Sequence, residues 1–279
     1  MPEGPEIQRA CDKIARVLKR EKLEKVEVEW PALEEFEQIW QGATIVDLRA
    51  RGKALLTFFD TGDILYTHNQ LYGRWLTRTT HKRPASSRSL RLAFYTRKGS
   101  AFLYSATDLE VLSQEEIPQH KYLSSLGPDI LDETLRPARI KKRLLEKRFR
   151  NRQLAGLYLD QSFLAGPGNY LRSEILFIAG VHPRLKPSQL SEEQLKRLAR
   201  TTLLISRRAY ETGGVTTEPK LEKRLKAEGE RRRTRRHYVF GREGKLCRVC
   251  EQEEVEKVTI SSRSVFFCPA CQLNSPRAE

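Results

Sequence analysis

Two sets of residues in this 279-residue chain have the types and spacing for chemistry. Cys247 and Cys250 form one CxxC pair, Cys268 and Cys271 form a second, and seventeen residues lie between the pairs. Each pair places two thiolates on one knuckle, so four sulfurs can surround one tetrahedral zinc ion. All four positions are then protein sulfur and none is left for water, which makes the metal structural. A thioredoxin-type redox site needs a single CxxC in a βαβ context, and neither condition fits. The second set is the opening Met1-Pro2-Glu3-Gly4-Pro5-Glu6. Loss of the initiator methionine, which a following proline favours, leaves a secondary α-amine with carboxylates one and four residues away. An α-amine has a pKa of about 8 against about 10.4 for lysine, so more of it is unprotonated and nucleophilic at neutral pH. Such an amine can attack a sugar C1′ and form an iminium. The plainer use of the same residues is to cap the first helix.

The elements that must position these groups show in the periodicity. Ile7, Ala10, Cys11, Ile14, Val17 and Leu18 recur at i, i+3, i+4 and i+7, which predicts an amphipathic helix after Pro5. Cys11 lies on its apolar stripe as a small buried hydrophobe. From Thr44 to Leu112 the runs TIVDLRA, ALLTFFD, DILYTH, LRLAFYT and AFLYSA, with turns at 60–63 and 97–100, predict an antiparallel sheet or sandwich. Residues 127–135 read as an inter-domain linker, after which Pro137 opens a basic helix. Helical periodicity covers 152–165 and 169–180, with Gly166-Pro167-Gly168 between them. Ser191-Glu192-Glu193-Gln194 has the form of a capping box and starts a helix that reaches about Tyr210. A charged loop is expected from Thr212 to Arg236. Between the cysteine pairs VEKVTISSRSVFF alternates like a β-hairpin with its tip at Ser261-Ser262-Arg263-Ser264, so the cluster reads as a zinc ribbon. So short a segment has little core of its own, and metal binding can supply on the order of 10 kcal/mol of its folding free energy. At that tip Arg263 is either a solvated turn residue or an anion ligand.

Composition narrows the partner. Lys and Arg number 51 against 36 Asp and Glu, a net charge of +15, and 39% of the residues are hydrophobic. That balance is too apolar for a disordered chain and too polar for a membrane protein, and no run approaches the ~18 apolar residues of a spanning helix. The first thirty residues mix Glu, Lys and Asp where a signal peptide is apolar, so a soluble, cytoplasmic protein is expected. The excess charge favours a polyanion, because neutralising phosphates releases counterions. It is unevenly spread: residues 136–152 hold nine Lys/Arg and one Glu, residues 220–236 nine Lys/Arg and three Glu, and the first forty residues are net negative. His68, His81, His120, His182 and His237 make no metal-spaced pair and are assigned no chemistry.

Four features in one order identify a family. The Met-Pro-Glu-Gly-Pro-Glu start, Arg51-Gly52-Lys53 after a strand, Gly166-Pro167-Gly168-Asn169-Tyr170 between helices, and a terminal four-cysteine ribbon with Arg263 closely resemble the formamidopyrimidine-DNA glycosylase/endonuclease VIII family, over essentially the whole chain. Gly4 and the segment His68-Asn69-Gln70-Leu71-Tyr72-Gly73 resemble the endonuclease VIII branch, which implies action on oxidised pyrimidines such as thymine glycol. Tyr238–Gly244 resembles the purine-directed branch instead, which keeps excision of formamidopyrimidine or 8-oxoguanine as the alternative. A catalytically silent DNA-binding zinc protein is the rival from another class; it would lack Pro2 or Glu3, and both are present.

The resemblance implies an α+β chain with an N-terminal antiparallel β-sandwich domain over 1–126 and a linker over 127–135. A helical helix-two-turn-helix domain with a basic loop follows over 136–236, and the zinc ribbon over 237–279. It implies one structural zinc on Cys247, Cys250, Cys268 and Cys271, and damaged double-stranded DNA as partner of a monomer that is cytoplasmic, bacterial and associated with the nucleoid. By the same resemblance Pro2 is the nucleophile, Glu3 and Glu6 are the essential carboxylates, and Lys53, Asn169 and Arg263 contact phosphates around the lesion. Gln70, Leu71 and Tyr72 fill the void left by the extracted base; strand-end packing is the bland role for the last two. Pro167 removes one N–H from the glycine turn, and Glu251 stands after Cys250 where related ribbons often have Gly.

Overall fold

The structure, a computed structural model, describes residues 2–273 and divides into two compact units, 1–125 and 126–279. The first unit opens with helix α1 (Gly4–Leu18), two residues earlier than the periodicity suggests because Glu3 serves as its N-cap and Pro5 sits in its first turn. Strand β1 (Lys25–Val28) and a short helix α2 (Phe36–Trp40) follow. Next come β2 (Ile45–Arg51), β3 (Ala54–Phe59), β4 (Ile64–His68), β5 (Arg74–Arg78), β6 (Leu90–Thr96), β7 (Gly99–Tyr104) and β8 (Asp108–Leu112). Helix α3 (Lys121–Ser125) closes the unit. The strands form two antiparallel four-stranded sheets, in the orders β1-β6-β7-β5 and β2-β3-β4-β8.

Between those sheets one core joins Leu55, Phe59 and Leu65 of one to Leu92, Phe94 and Leu103 of the other, with Cys11, Ile14 and Leu18 of α1 closing it. Trp40 is fully buried there and stacks on Phe59 at 4.5 Å. This is the expected sandwich, with Cys11 in the expected role. The named runs omit β1, β5 and β8, and all three are edge strands of four or five residues with charged members. Short, polar edges are how sheets avoid pairing with other chains, and the same polarity hides them from a periodicity search.

The second unit contains α4 (Pro137–Leu144), α5 (Leu154–Leu157), α6 (Asn169–Ile178), α7 (Glu192–Thr212), α8 (Pro219–Ala227) and α9 (Arg232–Arg235), then β9 (Glu256–Ile260) and β10 (Arg263–Phe267). Three expectations are corrected here. Residues 127–135 are not a free linker: Ile130 and Leu135 are fully buried in the helical core, and the Ile130 N–H donates to the Ala165 carbonyl. Of the helix expected over 152–165 only α5 forms, because the Asp160 carboxylate takes the Ser162 N–H and Gln161 bridges Gly166 and Pro167, turning the chain. The charged loop over 212–236 holds two helices, which start at Pro219 and just after Arg231. By contrast Ser191 caps α7 with Gln194 as expected, and α7 ends at Gly213 in the left-handed region.

Among the described residues no helix is long and apolar enough to cross a membrane. Within the second unit His237 is 2% exposed, its ring 5.2 Å from Tyr170 and 5.4 Å from Phe240. Burial pushes its pKa down from 6.5 to about 4, against a smaller opposing pull from Glu174. The unfolded chain therefore binds the extra proton first as pH falls through 6.5, and stability falls with it until about pH 4. Thermal unfolding should show a lower Tm at pH 5 than at pH 7, and His237→Gln should flatten that difference. An equally steep dependence in the variant would contradict the assignment.

Candidate functional site

In the first unit, the start of α1 brings Pro2 and the carboxyl-bearing Glu3 and Glu6 together. Pro2 is half-buried, Glu3 is 3% exposed, and the Glu6 carboxylate accepts the Glu3 backbone N–H at 3.0 Å. Glu6 thus closes the helix N-terminus, where a negative charge is stabilised by the helix dipole.

Lys53 stands in the two-residue turn between β2 and β3. Gly52 has φ +61°, the left-handed value that the first position of such a hairpin demands and that glycine adopts without steric cost. The Lys53 N–H donates to the Tyr122 hydroxyl oxygen of α3 at 2.9 Å, and the residue is only 7% exposed. It is not a solvated strand-edge lysine. Its charge reaches His68, whose pKa is lowered chiefly by burial and further by Lys53, while Asp108 opposes.

The segment joining β4 to β5 projects its apolar residues into solvent. Leu71 is 58% exposed and Tyr72 66% exposed, so neither packs against the strand ends. The turn is held from beneath: the Gly73 N–H donates to the Asn69 carbonyl at 2.7 Å, and a Cβ on Gly73 would stand 2.6 Å from that oxygen. Gln70 lies in the left-handed region at φ +46°, its N–H on His68 Nδ1 at 3.1 Å and its amide nitrogen on Asp108 at 2.9 Å. Two exposed side chains of this kind cost hydration free energy unless they have a partner.

In the second unit, α6 organises the remaining groups. Gly168, not Asn169, is its N-cap; the Asn169 side-chain oxygen accepts from Arg172 Nη2 at 2.7 Å. Arg172 is fully buried and also donates to the carbonyls of Ala155 (2.8 Å), Arg263 (3.1 Å) and Ser264 (2.7 Å). One guanidinium therefore fixes the start of α6, α5 and the beginning of β10 together. Ser261 and Ser262, at φ +52° and +60°, are the two central residues of the β9–β10 turn, so Arg263 begins β10 beside the tip and its side chain is exposed. Gly156 of α5 lets that turn approach, since a Cβ there would stand 2.7 Å from Ser261 Oγ.

The four cysteine sulfurs lie within 4.8 Å of one another, with Cys247 to Cys271 at 3.8 Å and Cys250 to Cys268 at 3.6 Å. Tetrahedral coordination with metal–sulfur bonds of about 2.3 Å places sulfurs about 3.8 Å apart, so the set fits a metal ion closely. Backbone N–H groups of Gln252 and Glu253 pull the Cys250 thiol down to about 7, while burial pushes Cys268 up to about 11. Glu251 holds the left-handed φ of +53° that a glycine usually takes, and its N–H still closes the knuckle on the Cys247 carbonyl at 3.1 Å.

A β-sandwich unit followed by a helical unit with a four-cysteine ribbon is the architecture of a class of DNA base-excision enzymes. Residues 1–107 match the formamidopyrimidine-DNA glycosylase N-terminal domain, and residues 126–220 match the H2TH domain of the same enzymes. Endonuclease 8 of Klebsiella pneumoniae strain 342 is 43% identical over 98% of this chain and 100% of its own length. Endonuclease 8 of Escherichia coli O17:K52:H18 is 44% identical over the same shares. The solved Lactococcus lactis formamidopyrimidine-DNA glycosylase, non-covalently bound to DNA containing an abasic site, has a TM-score of 0.78 at 22% identity and covers 98% of this chain and 100% of that one. The chain belongs to the formamidopyrimidine-DNA glycosylase/endonuclease VIII family, whose members are bifunctional DNA glycosylases and AP lyases.

Sequence reasoning passed over Arg172, Glu174 and Tyr122. The first two could have been found as charges inside the otherwise apolar NYLRSEILFI of α6; Tyr122 gave no comparable signal. Arg172→Lys keeps the charge but loses the planar fork that serves several acceptors at once. It should weaken binding of any duplex by roughly tenfold, about 1.4 kcal/mol, in a titration with undamaged DNA. Unchanged affinity would show that Arg172 does not position these groups.

Proposed function

We propose that this enzyme excises oxidised pyrimidines, thymine glycol among them, from duplex DNA through a Schiff base on Pro2. The observation that carries the reading is the pairing, within one unit, of the Pro2–Glu3–Glu6 helix start with a rigid turn that leaves Leu71 and Tyr72 exposed. A base must leave the stack before its C1′ can be attacked, and Gln70, Leu71 and Tyr72 fill the place it vacates. The Pro2 nitrogen then forms a bond to C1′ as the glycosidic bond breaks and the base departs with a proton. Glu3 protonates the ring oxygen as the sugar opens to an iminium. Loss of a C2′ proton expels the 3′ phosphate and a further elimination expels the 5′ phosphate, leaving a one-nucleotide gap. Such a covalent route replaces one difficult substitution by easier steps. Glu6 supports the site from the first turn of α1, and Lys53, Asn169 and Arg263 hold the phosphates that flank the lesion. The initiator methionine must be absent, because an acylated Pro2 nitrogen has no nucleophilic lone pair.

The metal is zinc, held by Cys247, Cys250, Cys268 and Cys271; with four sulfurs around it, zinc supplies folding free energy and no chemistry. The protein acts as a monomer in the cytoplasm of a bacterium, on nucleoid DNA. The resemblance of residues 238–244 to the purine-directed branch keeps excision of formamidopyrimidine or 8-oxoguanine as the alternative. In single-turnover assays on matched duplexes, thymine glycol should be removed more than tenfold faster than 8-oxoguanine; the reverse order would overturn the substrate assignment. Glu3→Gln should slow excision by about 10²-fold or more, the usual worth of a positioned acid. A near-normal rate would remove Glu3 from the mechanism.

A further inference from the structure

Residues 218–236 carry nine Lys/Arg and four Glu, and the reading above gives them no task. The structure makes them a built module. The Thr216 hydroxyl donates to the buried Glu174 carboxylate, Leu225 is buried, and Leu221 packs against the cluster that contains Cys247 and Cys268. Its acidic residues are largely engaged internally: Glu222 pairs with Arg235 at 2.7 Å, Glu230 with Arg248 of the ribbon at 2.7 Å, and Glu228 with Arg224 at 3.7 Å. Arg232 donates to the carbonyls of Thr212 and Gly213 at the end of α7. Lys220, Lys223, Lys226, Arg231 and Arg233 remain exposed, with no ion pair among the described residues.

We propose that this helical pair is a second phosphate grip for duplex DNA, separate from Arg263. The lysines of α8 recur every third residue, about 4.5 Å apart along the helix axis, so they line one face as a row of positive charge for a polyanion. The apolar side chains Leu221 and Leu225 turn inward, so the outer face offers charge without the aromatic or aliphatic anchor that a protein interface uses. An ordered module loses less conformational freedom on binding than a mobile tail would. The choice of DNA as ligand rests on the proposed function.

The test uses the full-length metal-loaded protein and a short undamaged duplex. The binding constant is measured across a salt series for wild type, for a variant with all five residues changed to Gln, and for the milder K220Q/K223Q/K226Q. Each neutralised phosphate contributes about 0.9 to the log–log salt slope, so the quintuple variant should be shallower by about 4.5 and the triple variant by about 2.7. A Tm matching wild type certifies the fold, and the triple variant decides the matter if the larger one fails to fold. A slope within about half a unit of wild type in a folded variant overturns the proposal. So does loss of binding to poly-glutamate with an unchanged DNA slope, which assigns the module to an acidic protein. Failure of the enzyme reading is seen separately, as absence of thymine-glycol excision by the wild type.

Discussion

Helix α6 carries two charged side chains, Arg172 and Glu174, that are both fully buried, and the second unit is arranged around satisfying them. An unpaired charge in a protein interior costs several kcal/mol, so each must be met by fixed polar groups. Arg172 meets three carbonyls and the Asn169 side chain. Glu174 takes the hydroxyl of Thr216 and the N–H groups of Tyr238, Val239 and Phe240. These partners belong to α5, β10 and both ends of the 216–240 segment, so one helix sets the position of every candidate phosphate contact in that unit.

The first unit solves a different problem. Its candidate groups sit on turns, and each turn is locked by backbone geometry and a neighbouring side chain: Gly52 and Tyr122 for Lys53, Gly73 and His68 for the exposed Leu71 and Tyr72, Glu6 for the helix start. Charge follows the same division. The first forty residues are net negative while 136–152 and 220–236 are strongly basic. Attraction to a polyanion and the chemistry proposed for the Pro2 end thus fall on different stretches of the chain.

What the sequence displays well is whatever repeats or has fixed spacing. The stripe of α1, the strands β2, β3, β4, β6 and β7, the Ser191 capping box and the two CxxC pairs all carry their own period, and the structure has each of them. What it conceals depends on contacts distant in the chain. The apolar pair Ile130 and Leu135 sits in a segment with linker composition, yet it is drawn into the helical core because Pro128 and Ala165 supply ladder partners. The 152–165 stretch has helical periodicity, but the side chains of Asp160 and Gln161 compete for the backbone and win. Tyr122 and Arg172 act on groups that lie 69 and up to 92 residues away, and no local pattern announces that.

Covalent chemistry at the Pro2 amine is the central claim, and reductive trapping tests it most directly. The enzyme is mixed with a thymine-glycol duplex, reduced with borohydride, digested, and the modified peptide is sequenced by mass spectrometry. The account predicts a sugar remnant on the secondary amine of a peptide that begins at Pro2, with no preceding methionine. A remnant on Lys53 or any other lysine, or an active enzyme that retains Met1, would contradict it.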